Sequence, residues 1–262
     1  LSGRSERSRK LARAAGIADL GSLDAVVTAA DIFLSIAPPV AATDIATDVI
    51  AAMQRCARRI PFADCNAISP MTAMAIADDF EAAGIPFIDA GIIGRAPGGD
   101  AKTQFYASGV PAEHLMVLHD KGMAVTILSD RIGDASALKM CFASITKGTN
   151  ALYAAALIAA ARYGLGDALA QELAGRAPNA WQAMNAAVPW LAADAERWTG
   201  EMEEIAATYD AVGMPEGFHH GAAALFRQLA ATPLGEETRE TLDRTRTLEQ
   251  TIAILAKAAG TH

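Results

Sequence analysis

Apolar positions along the first half of the chain alternate between short runs and helix-spaced stripes. Ala30 to Ile36 is an apolar run closed by Pro38-Pro39 and predicts a buried strand. Ala41 to Cys56 carries Ile45, Val49, Ile50 and Met53 at helical spacing. Pro61 to Cys65 predicts a second strand. Ser69-Pro70 then predicts a helix start, with a hydroxyl to cap a free backbone N–H and a proline where its missing N–H does no harm. That helix should reach Ala83 and stop at Gly84. Pro86 to Ile88 is a third strand, and Thr103–Ala107 and Ala124–Leu128 are two more. Gly91 to Gly99 predicts a glycine-rich loop. Strand, helix and strand at this spacing imply right-handed crossovers and a mostly parallel sheet, whose ligands lie at the carboxyl ends of its strands.

From Asp134 onward the period changes. Ala135 to Arg162 predicts one long helix, apolar on most sides and so buried among others. Further helices are expected at Gly166–Ala174, Asn179–Ala187, Ala192–Ala211, Gly217–Ala230 and Glu236–Ala258, separated by proline and glycine. The boundary falls at Ile132-Gly133. This gives an α/β domain over 1–132 and an all-α domain over 133–262.

Composition narrows the function classes. The 262 residues carry a formal charge of −8, which argues against a nucleic-acid binder acting through a basic surface. Three scattered cysteines do not make a disulfide scaffold or a cysteine-rich metal site. The longest apolar run, Ala151 to Ala161, is too short to span a bilayer. No metal site, membrane or nucleic-acid partner is expected, and a cytoplasmic location is.

The candidate chemistry centres on one lysine. Lys139 opens the long buried helix just after the α/β domain, where an ammonium is costly unless paired or used. It suits a group that holds a substrate hydroxyl and moves its proton. A lysine whose stem packs while its amine reaches water explains the position equally well. No Gly-x-Ser-x-Gly, His-Glu-x-x-His or Cys-x-x-Cys occurs. His219 and His220 would point about 100° apart on a helix, so they do not share a metal easily. They read better as core or surface histidines, and His114 and His119 have no evident partner. Glu201, Glu203 and Glu204 read as a solvated helix face. Trp198 and Met202 read as packing residues one turn apart.

The glycine-rich dinucleotide fingerprint is absent from the sequence. A dinucleotide-binding unit places its ribose-reading residue about 20 residues beyond that fingerprint, at the end of its second strand. Gly3-Arg4-Ser5 would occupy that place if about 30 residues preceded it. The chain is therefore expected to enter a longer enzyme at the end of its second strand. Arg4 and Ser5 suit a ribose 2′-phosphate, which favours NADPH over NADH.

Five stretches resemble the β-hydroxyacid dehydrogenase superfamily, which includes 3-hydroxyisobutyrate and 6-phosphogluconate dehydrogenases. They are Gly3-Arg4-Ser5, Ala30 to Pro38, Asp64 to Pro70, Asp89-Ala90-Gly91-Ile92-Ile93-Gly94-Arg95, and Gly133-Asp134-Ala135-Ser136-Ala137-Leu138-Lys139. The chain is most similar to the branch of 6-phosphogluconate dehydrogenase-like NAD(P)-binding proteins with their own helical C-terminal domain. The resemblance implies a Rossmann-like N-terminal domain lacking its first elements, followed by an all-α domain. It implies that Lys139 is catalytic, that Arg4, Ser5, Ala37, Pro38 and Asn66 bind the cofactor, and that Ile93, Gly94 and Arg95 bind substrate.

Several positions depart from that pattern. Ile93 stands where the family has serine, Arg95 where it has its second glycine, Ala143 where it has asparagine, and Thr146 where 6-phosphogluconate dehydrogenase has glutamate. These changes remove partners for a sugar acid, so a substrate other than 6-phosphogluconate is expected, with Arg95 as a new anion clamp. The resemblance implies hydride transfer between NADP (or NAD) and a small hydroxyacid or carbonyl substrate. Alternatives are an imine reductase and a non-catalytic NADPH-binding protein. The apolar helical half predicts a homodimer.

Overall fold

The computed structural model describes residues 1, 4–94, 103–119 and 121–258. It divides into two compact units, one of Leu1–Asn66 and Pro70–Ala137, the other of Ala67–Ser69 and Leu138–His262.

The first unit is built on five strands in the order β1 (Phe33–Ser35), β2 (Phe62–Asp64), β3 (Phe87–Ile93), β4 (Thr103–Ser108) and β5 (Met123–Ser129). Pairing is parallel except between β3 and β4. Its helices are α1 (Glu6–Ala14), α2 (Leu23–Ala29), α3 (Ala42–Arg55) and α4 (Pro70–Ala82), and α5 (Asp134–Ala143) starts here. Alternation along β2 explains the two-sided burial. Phe62 stacks on Phe80 of α4 at 4.4 Å and on Phe33 at 5.5 Å. Ala63 belongs to a separate cluster with Ile88, Phe105 and Leu115. Side chains at i and i+1 leave a strand on opposite faces, so one strand feeds both cores.

β3 is longer than its sequence predicts. Gly91 to Ile93 is strand rather than loop, because the antiparallel β4 pairs with it as far as Ile93–Gln104. Residues 95–99 of that expected loop, Arg95 among them, lie outside the described residues.

The second unit is helical: α6 (Thr149–Arg162), α7 (Gly166–Arg176), α8 (Pro178–Ala187), α9 (Ala192–Asp210), α10 (Gly217–Ala230) and α11 (Leu248–Ala258). Its core gathers Met140, Leu157, Met184, Met202, Ile205, Phe226 and Leu255. The helix expected over Ala135–Arg162 runs from α5 into α6 through a π-helical turn at Ser144–Gly148, with helical backbone on both sides. One expectation needs correction. The helix expected from Glu236 begins only at Leu248. Side chains of Thr238, Thr241, Asp243 and Thr247 bond nearby backbone N–H groups before it, which favours turns over helix.

Candidate active site

At the carboxyl end of β1 the chain must turn out of the sheet, and Asn66 organises that turn. Its Oδ1 accepts the Ala37 N–H at 2.6 Å, while its Nδ2 reaches Ser35 Oγ at 2.9 Å and Asp64 Oδ2 at 3.0 Å. Asn66, Ser35 and Asp64 are all buried. The amide thus ties the end of β1 to the end of β2, and its side chain is committed to the protein's own groups.

Beside this turn is a hollow of about 260 Å³ lined by Arg4, Ser35, Ile36, Ala37 and Asp48, among others. Two of the residues expected to bind cofactor, Arg4 and Ala37, therefore line one hollow. Ser5 caps α1, its Oγ accepting the Ser8 N–H at 3.2 Å. Pro38 is exposed and leads into a 3₁₀ turn, Pro39–Ala41. Ile36 is 64% exposed although the strand it follows is apolar. An exposed aliphatic wall beside an exposed guanidinium suits a flat ring and an anion together.

The carboxyl half of β3 carries a second organising residue. Asp89 is fully buried and accepts four hydrogen bonds: Ser108 Oγ at 2.9 Å, Gly133 N–H at 2.9 Å, Ser136 N–H at 3.1 Å and Ser136 Oγ at 2.6 Å. Burial pushes its carboxyl above the ordinary range, and these bonds pull it back. Gly133 has φ +100°, and a Cβ there would meet Pro70 Cβ at 3.3 Å, so the turn into α5 needs glycine. Ile93 is half-buried near the end of the strand and Gly94 is exposed with φ +111°.

Lys139 lies three residues beyond Ser136 on the same helix. It is partly buried; burial first, and the Arg197 charge second, hold its ammonium below the usual 10.5. Nearby in the helical unit, Lys147 pairs with Glu201, whose other oxygen accepts Arg197 Nη1 at 2.9 Å. Arg197 also reaches Asp194 at 3.3 Å, and Asp194 pairs with Arg239. Burial, then Lys139 and Arg197, pull the Lys147 ammonium down, and Asp194 opposes them. The abutting Glu201 carboxylate favours the charged form.

The sequence puts Glu201 on a solvated face, but it is 2% exposed. Its partner is 54 positions away in sequence, beyond any helix-face rule. Glu204 accepts the Ser69 N–H at 2.7 Å, and Glu203 bonds His220 at 2.7 Å and pairs with Arg227. Trp198 packs edge-on against Phe226 at 5.4 Å, and Met202 is fully buried, as their spacing predicts. Among the described residues, no three His, Cys, Asp or Glu side chains converge as a metal site, and no helix is long and apolar enough to cross a membrane.

Residues 160–229 match a family model described as a domain of unknown function, DUF1932. An uncharacterized 28.5 kDa protein in the 7S RNA 5′ region of Methanothermus fervidus is 29% identical over 171 residues, 65% of this chain. The match spans 64% of that relative's length. A solved conserved protein of unknown function, described as structurally similar to 3-hydroxyacid dehydrogenases, is 28% identical. It aligns over 88% of this chain and 86% of its own, with a TM-score of 0.61. The 3-hydroxyisobutyrate dehydrogenase of Mycobacterium tuberculosis, solved with L-serine, aligns over 96% of this chain and 88% of its own, with a TM-score of 0.64 and 20% identity. The chain therefore has the fold of the 3-hydroxyacid dehydrogenases, an α/β unit followed by a helical one, with the DUF1932 match in the helical unit.

Proposed function

We propose that the protein is an NAD(P)-dependent oxidoreductase acting on a small hydroxyacid or the matching carbonyl compound, with Lys139 as its acid–base group. The observation that carries this reading is the anchoring of α5. Asp89 clamps Gly133 and Ser136 at the carboxyl half of a central strand, and the helix so fixed presents Lys139 one turn later. A proton-transfer group has to be held in this way to act repeatedly at one atom.

The residues present fit a nicotinamide dinucleotide. The hollow beside β1 offers Ile36 as an apolar wall and Arg4 as a cation, and the Arg4 charge favours a 2′-phosphate. When bound, the nicotinamide supplies the hydride acceptor or donor. Lys139 hydrogen-bonds the substrate oxygen, accepts the hydroxyl proton in oxidation and returns it in reduction. Its lowered pKa makes the neutral amine more available as a base. Arg95 would be a clamp for a substrate carboxylate.

Lys139→Met tests the reading. NADPH and NADH binding are followed by nicotinamide fluorescence, and turnover is measured across hydroxyacids, keto acids, aldehydes and imines. The expected result is retained cofactor binding with turnover lowered by about 100-fold or more. Undiminished turnover overturns the role of Lys139. Tight binding by the wild type with no turnover of any substrate overturns the enzyme reading in favour of a cofactor-binding protein.

A further inference from the structure

The helical unit holds a second lysine whose placement the proposed reaction does not explain. Lys139, Lys147, Arg197 and Glu201 all belong to this one compact unit. Lys147 lies eight residues beyond Lys139, in the π-turn Ser144–Gly148. A π-turn takes in one residue more than an α-turn, so residues eight apart through it stand where residues seven apart stand in a regular helix. Seven residues make almost two full turns, which puts the two lysines on one helix face.

Lys147 is held in place by its neighbours. Its ammonium pairs with the buried Glu201 and lies 5.8 Å from the centre of the Trp198 ring. Both contacts favour the charged amine. Glu201 also accepts Arg197 Nη1 at 2.9 Å, and the Arg197 guanidinium is 6.0 Å from the same ring. Asp194 pairs with both Arg197 and Arg239. Three cations, Lys147, Arg197 and Arg239, thus share two carboxylates, and the network keeps a net positive charge. The other titratable groups of these elements have their own partners. Glu203 bonds His220 and pairs with Arg227, Glu204 accepts the Ser69 N–H, and Tyr209 and His219 both bond Ser144.

Repulsion between like charges is mutual. The Lys139 charge is among the causes that pull the Lys147 ammonium down, so a charged Lys147 acts on Lys139 in the same sense. We infer that Lys147 is a positioning residue for the proton transfer proposed at Lys139: Glu201 holds its ammonium on the same helix face, and that charge loosens the proton on Lys139. The inference rests on Lys139 as the acid–base group and assigns what keeps that amine ready to act as a base. Position 147 then needs a cation rather than a packed side chain, so arginine serves there and methionine does not.

Competitive acetylation with trace acetic anhydride across a range of pH, quantified by peptide mass spectrometry, reads the protonation of each lysine without substrate or cofactor. Lys147→Met should raise the pH of half-labelling of Lys139 by about one pH unit, and Lys147→Arg should leave it within about 0.3. The coupling is reciprocal, so Lys139→Met should raise the half-labelling pH of Lys147 by a similar amount. That arm stands even if Lys147→Met does not fold. The pH–rate profile of kcat/KM should move upward with Lys139 in Lys147→Met and stay in place in Lys147→Arg.

A half-labelling pH of Lys139 that stays in place or falls in Lys147→Met, or that rises equally in Lys147→Arg, overturns the inference. So does an unmoved Lys147 in Lys139→Met. A Lys139 label that shifts as expected while the rate profile stays in place upholds the charge coupling and overturns the reading of Lys139 as the base.

Discussion

Asp89 Oδ1 accepts the Ser136 hydroxyl at 2.6 Å, joining a central strand to the first turn of the helix that carries Lys139. The bond explains why the sequence places Asp89 and Gly133-Asp134-Ala135-Ser136 so far apart yet holds them together. Asp89→Ala would leave two backbone N–H groups and two hydroxyls without their acceptor. Chemical denaturation should show a loss of about 3 kcal/mol or more. Asp89→Asn should cost about 1 kcal/mol, since the amide oxygen can take both N–H groups while its NH₂ turns to Ser136 Oγ. The pH dependence has a definite sign. Burial raises the folded pKa above 3.8, so the folded chain holds a proton that the unfolded chain has released. That contribution to stability is present below about 3.8 and lost as pH rises through the folded value. Asp89→Asn should lack this fall, and a wild type whose stability does not decline there would refute the assignment.

Asn66 makes a different kind of joint. Its amide both donates and accepts, reaching Ser35, Ala37 and Asp64 from one side chain. Asn66→Ala leaves the buried Ser35 and Asp64 short of a donor and should cost about 2–3 kcal/mol. Because the Ala37 turn lines the hollow with Arg4, cofactor affinity should fall as well, although Asn66 is committed within the protein. Calorimetric titration of a folded Asn66 variant with undiminished NADPH affinity would separate the turn from cofactor binding.

Much of the architecture is legible in the sequence because it rests on local signals. The proline pair after Ile36, the Ser69-Pro70 start and the apolar runs fix β1, α4 and the parallel strands through backbone sterics and burial. Position and resemblance both single out Lys139, the residue proposed as the acid–base group. The burial of Glu201 is not legible, because its neutralising partner Lys147 comes from another segment, and helix-face rules see only neighbours three and four residues away. Ser144 and His219, 75 positions apart, are hidden for the same reason. The turns over 237–247 are hidden because hydroxyl competition for the backbone leaves a weaker mark in a sequence than the apolar spacing of Leu248–Ala258 beside it.

The Lys147–Glu201 pair predicts strong non-additivity. Lys147→Met leaves Glu201, 2% exposed, with Arg197 as its remaining ion pair, and should destabilise by about 3 kcal/mol. Removing both charges in Lys147→Met/Glu201→Met should cost less than the sum of the single changes, because the buried charge is then gone. A double-mutant cycle by urea unfolding checks this, and additive effects would show that the pair does not interact in solution.

Arg4 predicts cofactor choice. Its guanidinium lines the hollow beside β1, and a 2′-phosphate placed there would gain charge-assisted hydrogen bonds that a free ribose hydroxyl does not. Arg4→Glu should weaken NADPH about tenfold or more while leaving NADH within about threefold. Parallel fluorescence titrations of both nucleotides measure the ratio. Equal losses for both would place Arg4 away from the 2′ position.

Lys139 predicts a conflict between stability and activity. Its ammonium is held below 10.5 by burial and by the neighbouring Arg197 charge. Between that folded value and 10.5 the unfolded chain binds the proton that the folded chain has released. Stability from this residue therefore rises with pH across that window. Lys139→Met removes both the cost of the buried charge and the pH dependence, so its Tm at neutral pH should exceed that of the wild type while turnover falls. Arg197→Gln removes one cause of the lowered pKa. It should move the pH at which oxidation switches on to a higher value, since the neutral amine is the proposed base. Thermal melts and a pH–rate profile of kcat/KM check the two halves separately. A Lys139→Met protein that melts below the wild type would show the ammonium to be a structural anchor, and an unmoved profile in Arg197→Gln would show that its charge does not reach the amine.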